Sequence, residues 1–380
     1  MKVLYLTNDY TDEIGGISQH VDNLTARVAQ EADVAIVYLN VAGRRDDYVD
    51  EAGRRVFVVP HAGTAARRMV EFPHRAISVA IAEFEPDLVH VHTPLEAMAF
   101  NVPLEIPAIY TNHSSVLFHW GRHTLIRRHM LPRVLRKFTA VICPSQASAD
   151  RTPHQHVRVI PNGVDVARFG LEHREAFDRP RFFRERLGIQ DTGQVVLLTT
   201  RRLVKDKRVF ELIESNSKFL QENRDDLLLL VSGDGEEFSR IQTYCDEHEL
   251  TNVRLMGSVE HAEIDQFYYA ADFCVIPSQY EVFGISAIEA MACGAVCLVT
   301  EVGGLAEIVE HQRSGFYLDA TLSLPNTVDV LDSCQLDGVR QAAYDRACSV
   351  YSWQSVTQQT IRCYEEAVER VAQKELARSR

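Results

Sequence analysis

The chain has 380 residues, of which 46% are hydrophobic and 24% charged, and it contains eight cysteines. This length and composition are typical of a globular protein with two domains of ordinary size. A net charge of -13 at pH 7 argues against a dedicated nucleic-acid binder. The cysteines form no Cys-x-x-Cys pair and no zinc-type cluster with histidine, so buried reduced thiols are the simpler interpretation.

Short β-branched runs alternate with helix-period segments along the first part of the chain. The opening run VLYLT soon meets polar and acidic residues, which predicts a first strand and not a signal peptide. Further strands are predicted in VAIVYL, RVFVVP, DLVHVH, AIYTN, AVICPS and VRVIPN. The clearest helix covers residues 17–31, where Ile17, Val21, Leu24 and Val28 recur at helical spacing.

The second part repeats the same alternation after a charged, irregular stretch at residues 166–193. Its strands are predicted in VVLLTT, LLLLVSGD, NVRLMGSV, FCVIPS and AVCLVT. Near-continuous apolar strands separated by helices indicate parallel sheets covered on both faces. We therefore predict two doubly wound α/β domains, at 1–165 and 194–351, with 166–193 as a linker and 352–380 as a final helix.

Ligands of open parallel sheets bind beyond the carboxyl ends of the strands, so we expect the site on the loops there, in a cleft between the two domains. No stretch approaches the roughly 20 apolar residues that cross a bilayer. The expected location is the cytoplasm, including the cytoplasmic face of the membrane.

Two loops at predicted strand ends carry groups that suit a phosphate. Gly15 and Gly16 let backbone approach a ligand closely at a helix start, although a plain turn is the simpler reading of that pair alone. In TRRLVKDKRV, Arg202 and Lys207 could neutralise a diphosphate, and a solvated basic loop is the alternative. The nicotinamide fingerprint G-x-G-x-x-G and the Walker pattern are both absent.

The segment SQYEVFGISAIEAMACG places two carboxylates around a predicted helix start. Glu281 precedes the helix, beside the amides of Val282, Phe283 and Gly284, and this combination can bind sugar hydroxyls. Glu289 lies about two turns further on and could reach a ribose. Because a buried, unpaired carboxylate is costly, we infer a ligand partner for it.

These segments together resemble the family-4 retaining glycosyltransferases of GT-B fold. Glu281 and Glu289 match the family's E-x7-E, and YTNHS puts His113 where the family has an active-site histidine. GGISQHVDNLTARVA, PNGVD and VGGLAEIVEHQRSGFYL resemble its glycine loop, interdomain segment and later donor-domain run.

TRRLVKDKR resembles the family's G-R-L-x-x-x-K-G. Arg202, Leu203 and Lys207 match it, whereas Arg201 and Arg208 replace the two glycines.

The resemblance implies a role for each matching residue. Arg202 and Lys207 would hold the donor diphosphate, Glu281 the donor sugar, Glu289 the ribose, and His113 the sugar near the reacting centre. The other residues assigned to substrate binding are Gly15, Gly16, Asn162, Gly233, Gly257, Val259, Val282, Phe283 and Gly284. The final helix would pack back on the N-terminal domain.

The implied reaction moves a hexose or N-acetylhexosamine from a nucleotide diphosphate sugar to an acceptor hydroxyl with retained configuration. A UDP-sugar is favoured over GDP-mannose. No Asp-x-Asp occurs in the chain, so we predict a metal-independent reaction without any cofactor besides the donor. No carboxylate nucleophile is evident, which favours front-face attack. A nucleotide-sugar epimerase and a catalytically silent sugar-nucleotide binder are the alternatives.

The acceptor is less well marked, and a lipid-linked or cell-surface glycan precursor is the expected class. Residues 121–138 combine a basic face with an apolar stripe, as in a helix that lies on an anionic membrane. A core-packed helix with solvated charges is slightly favoured, and Pro132 predicts a break in it. His90 and His92 end a predicted strand and are interpreted as core histidines, with a place at the cleft as the alternative for one of them. Trp353 is interpreted as a packing residue.

Overall fold

The structure is a computed structural model that describes residues 1–7, 16–41, 47–60, 77–92, 105–113, 131–191, 193–223, 225–324 and 333–378. The chain divides into two compact units. Unit 1 comprises Met1–Asn162 and Trp353–Arg380, and unit 2 comprises Gly163–Ser352. Each unit has its own parallel sheet and its own hydrophobic core.

Unit 1 contains an eight-stranded sheet in the order β3-β4-β2-β1-β5-β6-β7-β8. Its strands are β1 (Lys2–Thr7), β2 (Asp33–Val41), β3 (Tyr48–Val49), β4 (Arg55–Pro60), β5 (Leu88–Val91), β6 (Ala108–Thr111), β7 (Ala140–Cys143) and β8 (Val157–Val159). All neighbouring strands are parallel except β3 and β4. Because successive side chains point to opposite faces, Val3 and Tyr5 join one apolar cluster while Leu4 and Leu6 join another.

Two long helices cover one face of this sheet. The helix Gly16–Val28 buries Leu24 and Val28, and the final helix Trp353–Arg378 buries Val356 and Tyr364 in the same cluster. The Tyr364 hydroxyl lies 2.7 Å from that of Tyr5 on β1. The predicted return of the final helix to the N-terminal unit is therefore confirmed.

Unit 2 contains a six-stranded, fully parallel sheet in the order β11-β10-β9-β12-β13-β14. Its strands are β9 (Val195–Thr200), β10 (Leu227–Ser232), β11 (Val253–Gly257), β12 (Phe273–Ile276), β13 (Val296–Thr300) and β14 (Gly315–Leu318). Leu197 and Leu198 point into different apolar clusters, so both faces are buried. The predicted class, two doubly wound α/β units, is confirmed.

Shorter helices connect the strands. In unit 1 they are Leu131–Leu135 and Gln146–Ala149, with residues 77–84 also helical. In unit 2 they are Leu171–Ala176, Arg179–Phe182, Val209–Ser215, Ser217–Glu222, Phe238–Glu247, Ile264–Ala270, Ile285–Ala292, Leu305–Ile308 and Ser333–Val350. Single turns of tighter or wider helix occur at Phe183–Leu187, Lys205–Lys207 and His261–Glu263.

The segment 166–193 is not the irregular linker that the sequence predicted. It forms two short helices and a π-helical turn, and it belongs to unit 2. Phe169, Phe182 and Phe183 are buried, and the ring of Phe182 meets that of Phe267 edge to face at 5.2 Å. Because its charged residues are interspersed with aromatic ones, the segment packs on the core of unit 2 instead of crossing solvent.

Two strands were missed and the basic segment is only partly described. β3 has two residues and β14 four, too short for periodicity to mark them, and both lie at sheet edges. Residues 114–130 lie outside the described residues. In the remainder of 121–138, Leu135 and Phe138 are buried in the core of unit 1, as the core-packed alternative expects. Among the described helices, none is both long and apolar enough to cross a membrane.

Candidate active site

Two loops of unit 2 bring a predicted cation and a predicted carboxylate together. One loop follows β9 and the other follows β12, and these strands are neighbours in the sheet, so their carboxyl ends lie side by side. Lys207 Nζ lies 2.9 Å from Glu281 Oε2, and the Ser278 hydroxyl donates to the same oxygen at 3.2 Å. The contacts that described residues make with the Glu281 carboxylate all fall on Oε2.

Arg201 is a third member of this cluster, and the sequence analysis assigned it no role. Its side chain is only 5% exposed. Nη1 donates to the Ser278 hydroxyl at 2.5 Å, and Nη2 lies 3.5 Å from Glu281 Oε2. Burial lowers the pKa of Arg201, and the neighbouring Glu281 carboxylate opposes this shift. A buried guanidinium needs a counter-ion, and the Oε2 atom of Glu281 provides it for Arg201.

The loop that carries Glu281 is fixed by close backbone packing. Gly303 has φ +48°, and a Cβ there would overlap with the carbonyl oxygen of Glu281. The next amide, of Gly304, donates to that same oxygen at 3.1 Å. Gly284 caps the helix Ile285–Ala292 with φ +111°, a conformation that only glycine adopts readily. Phe283 is buried in the core beneath.

Gly233 and Gly257, two of the residues assigned to substrate binding, come together at the ends of β10 and β11. The amide of Gly233 donates to the carbonyl of Gly257 at 2.7 Å. Gly233 also packs so closely that a Cβ would overlap with the carbonyl oxygen of Arg201. Val259 is partly buried against the core. Three strand ends, of β9, β10 and β11, therefore lie in contact around these residues.

Glu289 lies inside the helix Ile285–Ala292 and is only 8% exposed. The expectation that it is unpaired was wrong, because the hydroxyl of Tyr268 donates to Glu289 Oε2 at 3.0 Å. Thr200 lies 2.8 Å from the same hydroxyl. Burial raises the pKa of Glu289 to about 7, and the hydrogen bond from Tyr268 limits that rise. The energetic argument for a ribose partner of Glu289 therefore no longer holds, and its role at a ribose stays a prediction.

The raised pKa predicts a pH-dependent effect of Glu289→Gln. A folded-state pKa of about 7 against a usual value of 4.5 means that the native protein binds the proton more tightly than the unfolded chain. This contribution to stability is complete below pH 4.5 and is lost as the pH rises through 7. The variant should thus be more stable than the parent by about 3 kcal/mol at pH 8 and nearly equal to it at pH 4.5.

Urea unfolding at several pH values measures this difference. Glu247→Gln, at an exposed glutamate of the same unit, is the matched control and should show no such trend. A Glu289→Gln difference that does not change with pH would contradict the assignment.

Unit 1 contains a cluster of four histidines at the ends of β5 and β6. His92 Nδ1 lies 3.0 Å from His113 Nε2, and the ring of His20 meets that of His113 edge to face at 4.6 Å. His20 also contacts the ring of Trp353 at 5.3 Å. Sequence reasoning gave a role to His113 alone and named His92 only as a residue that could line the cleft, because His20 and His92 become neighbours of His113 through folding.

His90 is the core histidine that the sequence analysis expected. Its two nitrogens lie 2.7 Å from the hydroxyls of Tyr364 and Thr111. His92 is buried as well, but it also belongs to the group around His113.

Burial lowers the pKa of each of these rings. That of His20 falls to about 4, opposed by a hydrogen bond with Asn162, and those of His90, His92 and His113 fall well below the usual value. Buried His20 Nδ1 and His92 Nε2 have no hydrogen-bond partner among the described residues. Neutral rings with unused nitrogens can donate to or accept from hydroxyl groups.

The nitrogens of His20, His92 and His113 lie within 4.8 Å of one another, close enough to share a metal ion. Histidine ligands usually have a second shell, often a carboxylate, that orients the ring. Among the described residues, no carboxylate contributes to the pKa shift of any of these three rings. The trio therefore has the spacing of a metal site without a carboxylate partner among the described residues, and the predicted independence of a metal stays a prediction.

Comparison with known proteins identifies the family of the chain. The profile of Glycosyltransferase Family 4 matches residues 14–168, and that of Glycosyl transferases group 1 matches residues 181–334. The chain is a group 1 glycosyltransferase. Its architecture is the GT-B fold, as the structural neighbours show.

Relatives and solved structures match this glycosyltransferase over most of its length. The alpha-monoglucosyldiacylglycerol synthase of Streptococcus pneumoniae is 24% identical over 356 residues, covering 86% of this chain and 79% of the relative. Sucrose-phosphate synthase from Thermosynechococcus elongatus superposes with a TM-score of 0.79 at 20% identity, covering 96% of this chain and 98% of that one. The structure of Anabaena HepE in complex with UDP and glucose superposes with a TM-score of 0.76 at 21% identity, covering 96% of this chain and 100% of that one.

The two arginines that replace glycines in the basic loop of this glycosyltransferase differ in their surroundings. Arg208 has φ +55°, the left-handed conformation that a glycine adopts most easily, and it precedes the helix Val209–Ser215. Arg202 is exposed at the start of the same loop. Arg208 therefore occupies a position whose backbone conformation favours glycine, whereas Arg201 adds a buried charge.

The predicted site residues fall into two groups. Unit 2 contains Arg202, Lys207, Gly233, Gly257, Val259, Glu281, Val282, Phe283, Gly284 and Glu289, and unit 1 contains Gly16, His113 and Asn162. Gly15 lies outside the described residues. Direct contacts join Lys207 to Glu281 and Gly233 to Gly257. The roles of all these residues remain predictions.

Proposed function

We propose that this glycosyltransferase moves a hexose or N-acetylhexosamine from a nucleotide diphosphate sugar to an acceptor hydroxyl, with retained configuration and without a metal. The observation that carries the proposal is the Lys207–Glu281 pair at adjacent strand ends, which combines a phosphate-binding cation with a hydroxyl-binding carboxylate. A UDP-sugar is the favoured donor. The fold shared with HepE, whose structure contains UDP and glucose, supports that choice.

The reaction breaks the bond between the anomeric carbon and the diphosphate, and the electron pair leaves with the diphosphate oxygen. The acceptor oxygen bonds to the same face of the carbon, and its proton passes to the departing diphosphate. Arg202 and Lys207 stabilise the growing negative charge, which is electrostatic preorganisation. Glu281 and His113 orient the sugar, and Glu289 accepts from the ribose.

For the acceptor we propose a lipid-linked or cell-surface glycan precursor, with residues 121–138 making peripheral contact with the membrane. The S. pneumoniae relative is named for a glucosylated diacylglycerol, which supports a lipid acceptor class. The basic face of 121–138 suits an anionic surface.

A panel of UDP-, GDP- and ADP-sugars, scored by thermal unfolding, tests the donor. A donor at one hundred times its dissociation constant should stabilise the protein by about 2.7 kcal/mol. Arg202→Ala should lose most of this response, whereas Arg184→Ala, at an exposed arginine of the same unit, should keep it. No shift with any sugar nucleotide at millimolar concentration would contradict the proposal. Sugar conversion without acceptor would indicate an epimerase, and binding without turnover a silent binder.

A further inference from the structure

Arg201 replaces a glycine of the family's G-R-L-x-x-x-K-G pattern, and its side chain is buried. It follows β9 directly, and its amide donates to the carbonyl of Ser232 at 2.9 Å. Gly233, the residue after Ser232, packs against the Arg201 carbonyl and adds a second close contact to the same backbone. The guanidinium therefore has a defined position beneath the basic loop, and its 5% exposure leaves little room for direct contact with a bound molecule.

The hydrogen bonds around Arg201 form a chain with one direction. Arg201 Nη1 donates to the Ser278 hydroxyl, and that hydroxyl donates to Glu281 Oε2. Ser278 is fully buried, so this connection is shielded from water. Together with Nη2 at 3.5 Å, the chain holds one oxygen of the carboxylate, whereas Oε1 has no hydrogen bond with any residue that the structure describes.

Two cations share the Glu281 carboxylate, and they differ in what they can do. Lys207 is 13% exposed and has a flexible stem, whereas Arg201 is more deeply buried. If Arg201 were absent and Lys207 turned towards a phosphate, the Glu281 carboxylate would lose both of its cationic partners. With Arg201 in place, Glu281 keeps a counter-ion and its orientation while Lys207 is released.

We propose that Arg201 is a positioning residue that determines sugar recognition in the donor site. It holds Glu281 through Oε2 and Ser278, so that Oε1 accepts from a hydroxyl of the donor sugar while Lys207 binds the diphosphate. The inference rests on the proposed function, because it requires a nucleotide diphosphate sugar as donor.

The test compares Arg201→Met with the parent for two ligand pairs, UDP with UDP-glucose and GDP with GDP-mannose, by calorimetry. Methionine keeps the apolar stem and removes the charge. The affinity for the free nucleotide should stay within a factor of about two, while the added affinity from the sugar should fall about tenfold. Arg202→Met should give the opposite pattern, with both ligands of a pair weakened equally, because its predicted partner is the diphosphate.

Ser278→Ala is the second variant, since it breaks the hydrogen-bond chain without removing a charge, and it should reduce the sugar increment in the same direction. Arg184→Met serves as the control for the loss of an arginine. Unchanged sugar increments in both Arg201→Met and Ser278→Ala would overturn the inference, as would an equal loss for nucleotide and sugar nucleotide. A parent protein that binds none of the four ligands would instead overturn the proposed function.

Discussion

Glu281→Gln is expected to destabilise the protein as well as inactivate it. The amide removes the counter-ion of Arg201, whose side chain is only 5% exposed, and leaves Lys207 unpaired beside it. Breaking a buried ion pair by removing one partner typically costs about 3 kcal/mol or more. Urea unfolding at pH 7.5 should show a loss of this size, and turnover of the sugar nucleotide should be abolished.

A double variant distinguishes this electrostatic cause from a general loss of packing. Adding Arg201→Met to Glu281→Gln removes the unpaired guanidinium, so most of the lost stability should return. Activity should not return, because the carboxylate is still absent. Arg201→Met alone should be close to the parent in stability, since Lys207 and Ser278 still contact Glu281. A double variant as unstable as Glu281→Gln would contradict this explanation.

Gly303→Ala should disrupt the loop that presents Glu281. The residue has φ +48°, and the added methyl group would overlap with the carbonyl oxygen of Glu281. Because a backbone carbonyl cannot rotate away as a side chain can, the whole loop must shift. We expect a loss of at least about 2 kcal/mol in unfolding free energy, together with loss of donor binding.

Gly338→Ala is the matched control for that substitution. Gly338 lies in the helix Ser333–Val350, is exposed, and would place a Cβ in open space. Alanine there should stabilise the protein by about 0.5 to 1 kcal/mol. Opposite signs for the two glycine variants are therefore expected. Equal stability of Gly303→Ala and Gly338→Ala would contradict the described packing of the Glu281 loop.

Much of the candidate site in unit 2 was predictable from the sequence because its parts are local. Gly284 and Glu289 lie on or beside one short helix, and the motif spacing alone placed Glu281 before it. Lys207 joined them because two apolar runs, β9 and β12, become neighbours in the sheet. The sequence marked Arg201 only as a replacement for a glycine, since an arginine after a strand carries no mark of burial.

The histidines show the same limit in unit 1. His113 was found through the resemblance to a family, whereas His20 and His92 belong to distant segments. Their contacts depend on how the helix Gly16–Val28 packs near the ends of β5 and β6. No periodicity in the chain encodes that distance, because hydrophobic spacing specifies which face is buried and not which polar groups meet there.

The sequence by itself determined the two doubly wound units, the positions of most of their strands along the chain and the family, because apolar runs and local motifs are short-range properties. Tertiary structure alone decided that 166–193 packs on unit 2, that Tyr268 partners Glu289, and that Arg201 shares Glu281 with Lys207. Each of these depends on contacts between residues far apart in the chain. Burial and ion pairing arise only when those residues meet in the folded chain. These contacts then determine which charged groups a ligand can bind.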